Sequence, residues 1–127
     1  MNDTLGVGKK LVELRRQGKN MEAVDTLYSP QIVSIEATGS PSMPARMEGI
    51  AAIKGKNEWW EKNNEVHHAE AEGPWPNGDR FIVRFKYDVT QKAGPLAGKR
   101  ITLDETALYT VKDGKITQEE FFYDMGG

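Results

Sequence analysis

Four side chains of this 127-residue chain have the type and setting for acid–base chemistry: Glu105, Glu120, Asp124 and His67. Glu105 interrupts the set Leu103, Ala107, Tyr109 and Val111, which alternates with Thr102, Asp104, Thr106, Leu108 and Thr110. Successive side chains of a strand point to opposite faces, so an inward apolar set would carry this acid inside, where it needs a partner or a function. The other placement of the strand turns Thr106 and Leu108 inward instead. Glu120 and Asp124 share a face with Ile116, Gln118 and Phe122 along the closing stretch. If that face lines an interior, both carboxyls are partly desolvated and their pKa values rise. A carboxylate raised in this way can take a proton next to a carbonyl, or activate a water, near neutral pH. If the chain end lies in solvent, neither acid has such a role.

His67 alternates with Ala69 and Ala71, whereas His68 falls with Glu70 and Glu72. The second set reads as solvated, so His67 is the interior candidate, as a general acid–base or as a group that orients a carboxylate. No His-x-x-x-His or similar spacing supports a metal site, and no cofactor is expected. Trp59, Trp60, Phe85, Tyr87, Tyr109 and Phe122 are the candidate walls of a pocket, with a core role the alternative for Trp60 in particular. Tyr109 and Tyr123 could donate to an oxyanion. Glu36 falls opposite Val33, Ile35 and Ala37, and parity sends it outward if those three face the core.

The elements that would position these residues follow from periodicity. Residues 3 to 17 read as a helix with Val7, Leu11 and Leu14 in one stripe, Arg15 and Arg16 in its last turn, and Gly18 ending it. A second short helix runs from Asn20, read as its N-cap, to a stop before Pro30. Gln31 to Thr38 reads as a strand. Residues 39 to 46, with two prolines, read as a loop long enough to form a flap. A third helix spans Ile50 to about Asn64, with Gly55 marking a close approach or a weak turn. Strands follow at Glu65 to Gly73, Arg80 to Thr90, Arg100 to Val111, and from Gly114 to the end. The turn Pro74-Trp75-Pro76-Asn77-Gly78 joins the first two, and Asp113-Gly114 joins the last two. Phe81, Val83, Phe85, Tyr87 and Val89 share one face of the clearest strand. Helices first and hairpin-joined strands last predict an α+β layout, with helices on one face of a curved antiparallel sheet.

Composition narrows the classes. A chain of this length builds one core, so residues 1–127 are expected to form one domain. A net charge of −2 and no run of basic residues longer than two argue against a nucleic-acid-binding face. Cys is absent, which removes disulfides, thiolate metal sites and a Cys nucleophile. No apolar run approaches the roughly 20 residues needed to span a bilayer, and the N-terminus lacks a signal-type apolar region. A cytoplasmic location is the expectation.

The stretch Leu108-Tyr109-Thr110-Val111-Lys112-Asp113-Gly114-Lys115-Ile116, followed eight residues later by Asp124, resembles the nuclear transport factor 2-like superfamily. Within it the chain is similar to the SnoaL-like group named after a polyketide cyclase, from the helical pair through the Glu119-Glu120-Phe121-Phe122-Tyr123-Asp124 ending. The resemblance implies a cone in which a strongly bent sheet wraps three helices, an apolar cavity at its open end, and homodimers through the convex side of the sheet. It also implies that Asp124 matches the acid ending the final strand of the cyclases, and that a first-strand acid such as Glu36 can be catalytic. Steroid isomerases of the superfamily use a base and two donors that find no match here. The chain also departs from the cyclase pattern by placing Glu120 and Phe122 in the closing strand. Two functions stay open. One is a cofactor-independent lyase, isomerase, cyclase or hydrolase acting on a small oxygenated apolar molecule. The other is a non-catalytic small-molecule binder or dimeric scaffold. Phe121, Tyr123 and Met125, expected opposite the acids, would be covered by the second subunit.

Overall fold

The computed structural model describes residues 3–39, 44–94 and 96–123. Three helices, α1 (Thr4–Arg16), α2 (Asn20–Leu27) and α3 (Ile50–Asn63), pack on a six-stranded sheet. Its strands are β1 (Tyr28–Ile35), β2 (Arg46–Glu48), β3 (Asn64–Asn77), β4 (Arg80–Gln91), β5 (Arg100–Lys112) and β6 (Lys115–Phe122), in the order β2-β1-β6-β5-β4-β3. The sheet is antiparallel except where β1 runs parallel to β6. It curves without closing, giving the expected α+β cone.

Local chemistry accounts for the elements. Asp3 caps α1 by accepting from the Gly6 N–H at 3.0 Å, and Val7, Leu11 and Leu14 bury its apolar stripe. The cap of α2 is Lys19, with Asn20 the first helical residue rather than the N-cap. The Asp113-Gly114 turn joining β5 to β6 places both residues at positive φ, 53° and 76°, the mirror-type turn that matches strand twist. The inner face of β4, Phe81, Val83, Phe85 and Val89, is buried, and Ala107, Tyr109 and Val111 of β5 meet it. Ring stacking of Phe81 on Tyr109 at 4.9 Å and the edge of Phe121 on Tyr109 at 6.4 Å tie three strands into one core.

Register shifts interrupt strict alternation in β3 and β6, and a further one lies in the β1–β6 pair between Tyr28 and Val33. In β6 the pairing with β5 runs Val111↔Ile116 and then Thr110↔Gln118, so Thr117 is an extra residue. This bulge reverses parity: Ile116 points inward, and after it Glu119 and Phe121 do, in place of Glu120 and Phe122. In β3 the register slips between Val66 and His68, leaving His67 at the irregularity. A second slip, between Glu72 and Trp75, lets β3 continue to Asn77, so the hairpin turn begins only at Gly78. The first strand begins at Tyr28, earlier than its sequence pattern suggests, and its buried face is Ile32 and Ser34 rather than Val33, Ile35 and Ala37. The short β2 begins at Arg46, the last residue of the stretch read as loop, and the sequence pattern does not predict it. Of the flap, residues 40–43 lie outside the described residues, as do Asp124 and Met125.

Gly55 sits mid-helix in α3, exposed, and a Cβ added there meets nothing within 4 Å. It marks a weak turn and no close approach. Gly55→Ala is expected to stabilise the protein by about 1 kcal/mol, read as a rise of roughly 3–5 °C in Tm. An unchanged or lowered Tm would show that this turn needs the flexibility.

Candidate active site

A cavity of about 580 Å³ opens between α3, the end of β1 and the concave face of β4, β5 and β6. Its inner end is organised by Glu119, only 1% exposed. A buried carboxylate must be met by donors, and three groups meet this one. Tyr28 donates its hydroxyl proton to Oε2 in a short hydrogen bond. Ser34 donates to Oε1 at 2.9 Å, and the Lys56 ammonium lies 3.7 Å from the same oxygen. Lys56 also donates to Ser34 Oγ at 2.6 Å and to Glu36 at 2.8 Å. Burial and the Glu119 charge hold the Tyr28 phenol well above its ordinary range, so it remains a donor. Arg15 completes the chain by donating to the Tyr28 hydroxyl at 3.3 Å, with its guanidinium 5.6 Å above the Phe85 ring.

Glu105 is in a different situation. It lies on β5 opposite Phe85 of β4, while β6 on the other side pairs only as far as Phe122, opposite Thr106. Its side chain is half-buried against the cavity, and among the described residues it has no ion pair and no hydrogen bond. Burial, reinforced by the nearby Glu36 charge and opposed by Arg15 and Lys56, pushes its carboxyl up to about 7. Nearby, burial first and then Glu105 and Glu119 raise the Tyr87 phenol to about 12, against the pull of Arg15. Burial and the Glu36 charge raise Tyr123 to about 12. Both stay protonated at neutral pH; Tyr123 gives its O–H to Glu36, while Tyr87 presents its O–H to the cavity.

The structure brings some of the sequence-derived candidates together and separates others. Glu105, Trp59, Trp60, Phe85 and Tyr87 line the cavity. Tyr109 is fully buried behind it, its hydroxyl without a hydrogen-bond partner. Glu120 and Phe122 do not face inward, because the Thr117 bulge turns them to the outer face, and Phe122 is 49% exposed there. Glu119 and Phe121 take the inner positions instead. His67 is exposed, its Nε2 2.7 Å from Thr90 Oγ1, because the slip in β3 carries it out of the inner face. Asp124 lies outside the described residues. Glu36 lines the cavity rather than facing outward. Arg84 pairs with Asp104 at 2.6 Å on the outer face, and Arg46 pairs with Glu48, so neither neutralises Glu105.

Arg15, Tyr28, Ser34, Lys56, Asn57 and Glu119 are the residues that alternation and helical periodicity did not single out. A signal was present for three of them. Arg15 falls four residues after Leu11, and Lys56 and Asn57 three and four after Ile53, along the buried stripe of their helices. A charge on such a stripe is a partner in waiting. Among the described residues no group of three or more acidic or His side chains is placed to hold a metal ion, and no helix is long and apolar enough to cross a membrane.

Fold and cavity together define an α+β cone of the NTF2-like class. Residues 3–123 match the family model described as SnoaL-like domain, and the chain belongs to that family. A provisionally assigned SnoaL-like polyketide cyclase from Mesorhizobium loti, also labelled carbohydrate phosphatase, is 46% identical. Its TM-score is 0.85, with 93% of this chain and 97% of that one covered. A second provisionally assigned SnoaL-like polyketide cyclase, from Jannaschia, is 16% identical with a TM-score of 0.74, over 98% of this chain and 90% of that one. A protein with a ketosteroid isomerase-like fold from Catenulispora acidiphila, solved with trimethylamine, is 19% identical with a TM-score of 0.70, over 92% and 84%. At these lower identities the likeness is one of fold. No match is found among curated proteins.

The raised Glu105 has a consequence for stability. Its carboxyl titrates at about 7 in the folded chain against 4.5 in its absence. Between those values the folded state keeps a proton that the unfolded state has released, so stability falls as pH rises through this window. The cost is absent below the unfolded value and complete above the folded one. One unit is worth about 1.4 kcal/mol, and because the side chain opens on the cavity the full cost is set at roughly 2 kcal/mol. Glu105→Gln is therefore expected to stabilise the protein by about 2 kcal/mol near pH 8 and by about zero near pH 4, measured by urea unfolding. The same effect at both pH values would show that the carboxyl is not desolvated.

Proposed function

We propose that the protein is a cofactor-independent enzyme of the lyase, isomerase, cyclase or hydrolase kind, with Glu105 as general base. The observation that supports this most is the presence in one cavity of an unpartnered, desolvated carboxyl, Glu105, beside a second carboxylate, Glu119, that is met by donors. A base poised near neutral pH combines a useful ionised fraction with real proton affinity. Apolar walls from Trp59, Trp60, Leu103 and Phe121 suit a small ring-bearing molecule. In the simplest step the Glu105 carboxylate removes a proton from a carbon next to a carbonyl. The C–H electron pair moves to form the enolate, and the oxygen takes the negative charge. Tyr87 is the neutral O–H donor on the same wall that can stabilise that oxygen. Return of the proton to a different carbon, or attack of the enolate on a second carbonyl, gives the isomerase and cyclase outcomes. Membership of a family with provisionally assigned cyclases supports the reaction class.

The test needs no knowledge of the natural substrate. A panel of small cyclic ketones and β-diketones in heavy water is followed by NMR for exchange of the α-protons. The wild-type protein is expected to accelerate exchange with an ionisation near pH 7, and Glu105→Gln to lose about 10²–10⁴ of that rate. Equal rates for the two proteins across the panel count against Glu105 as the base and favour the binding-protein reading.

We also infer that a second copy of the chain covers the outer face of the sheet. Phe121 and Tyr123 turn inward, so the apolar group there is a different one from that read in the sequence. Trp75, Ile82 and Leu108 are cross-strand neighbours on β3, β4 and β5, and Phe122 lies on the same face. Trp75 is 52% and Ile82 39% exposed, a concentration of large apolar side chains suited to a self-complementary contact. Sedimentation at about 50 μM is expected to give twice the 14.2 kDa chain mass, and Trp75→Glu to give monomer. A wild-type profile of monomer alone would reject this interface.

A further inference from the structure

We propose that the ligand of the cavity is an organic anion, a carboxylate or comparable oxyanion on an apolar skeleton, and that Arg15 is the residue that recognises it. The inference rests on the reading of the cavity as a ligand site, but not on Glu105 acting as a base.

The argument is a count of donors and acceptors. A guanidinium carries five N–H donors and no acceptor. Arg15 uses one hydrogen bond, to the Tyr28 hydroxyl, and no carboxylate approaches within ion-pair distance among the described residues. Its Nε is shielded and has no partner. The acids that could neutralise it are engaged elsewhere: Glu119 by Tyr28 and Ser34, and Glu36 by Lys56. On α3, the Asn57 Nδ2 amide is a second buried donor without a partner, and Asn57 lines the same cavity. Tyr87 adds an O–H on the β4 wall. Against these donors the cavity offers two free acceptors, the Glu105 carboxyl and the buried Asn64 Oδ1, so its free polar groups are mostly donors. Ligands that supply oxygen acceptors and a negative charge complete this set, while cations meet Arg15 head-on. A planar guanidinium also favours planar oxyanions, which it can grip with two parallel hydrogen bonds. Phe85, under the Arg15 guanidinium, and Trp60 offer flat apolar surface to the rest of the molecule.

The experiment compares three probes of one skeleton: phenylacetate, phenylacetamide and phenethylammonium. Binding is measured by calorimetry, and its location by shifts of the Trp59 and Trp60 indole N–H resonances in NMR spectra. For the wild-type protein, phenylacetate is expected to bind about tenfold or more tighter than the amide, with the ammonium weakest. Arg15→Gln is expected to bring acid and amide within about twofold of each other while leaving amide affinity nearly unchanged. Arg15→Lys, which keeps the charge but not the fork, is expected to fall between and serves if the Gln variant does not fold. Equal binding of acid and amide by the wild-type protein overturns the anion preference and leaves the ligand cavity standing. A preference that survives in Arg15→Gln overturns the assignment to Arg15. Failure of all three probes to shift the indole resonances overturns the ligand-cavity reading and this inference with it.

Discussion

A carboxylate removed from water must be surrounded by donors, and the Glu119 carboxylate imposes that condition on most of this fold. It draws Tyr28 from the start of β1, Ser34 from the middle of that strand, and Lys56 from α3. Through Tyr28 it reaches Arg15 at the end of α1. Helix α1, helix α3 and the parallel pair β1–β6 are therefore held around one charge as well as by apolar contact. Removing a partner from such a group costs on the order of 3–5 kcal/mol, because the remaining charge has no water to turn to. Chains of hydrogen bonds of this kind also polarise one another, so Arg15 strengthens the Tyr28 donor although it never touches Glu119.

The same cavity holds a second carboxyl with the opposite treatment. Glu119 is fully provided with donors and behaves as part of the framework, while Glu105 is desolvated and left without them. Lys56 illustrates the division, because its ammonium contacts Glu36 and Glu119 and acts on Glu105 only at longer range. Had Lys56 reached Glu105 instead, the carboxyl would be held ionised and would be a poor proton acceptor. Two carboxyls with environments that differ this much can serve different purposes within one site.

The parts of the fold that depend on apolar alternation were legible in the sequence. Phe81 to Val89 and Leu103 to Val111 carry their side chains as their spacing predicts, and Glu105 stood out because it broke such a set. The site was legible only in part, for two physical reasons. In β1 the buried face is the polar one, since Ser34 is held by Glu119 and Lys56, so counting apolar residues selected the wrong side. Arg15 and Lys56 lie on buried helical stripes, where a charge is normally read as solvated because its partner comes from a distant strand. Partners separated by 85 or 91 residues, as Ser34 and Tyr28 are from Glu119, leave no local trace.

The remaining difference comes from one residue. Pairing along β6 advances by two residues at Ile116 to Gln118 while β5 moves by one, and every side chain after Thr117 changes face. Strict alternation would place Glu120 and Phe122 in the cavity and Glu119 and Phe121 outside. The buried network explains why the bulge is tolerated. Tyr28 pairs with Ile116 and, after a register shift in β1, Ser34 pairs with Glu119, so in the bulged register both hydroxyls reach residue 119. In the other register those donors would face Gln118 and Glu120, and Glu119 would lie on the outer face, while Phe122 would leave that face for the interior. A single inserted residue thus sets the carboxylate that organises the cavity and the aromatic side chain left on the surface, and the hydrogen bonds gained at Glu119 offset the ladder bond the bulge gives up.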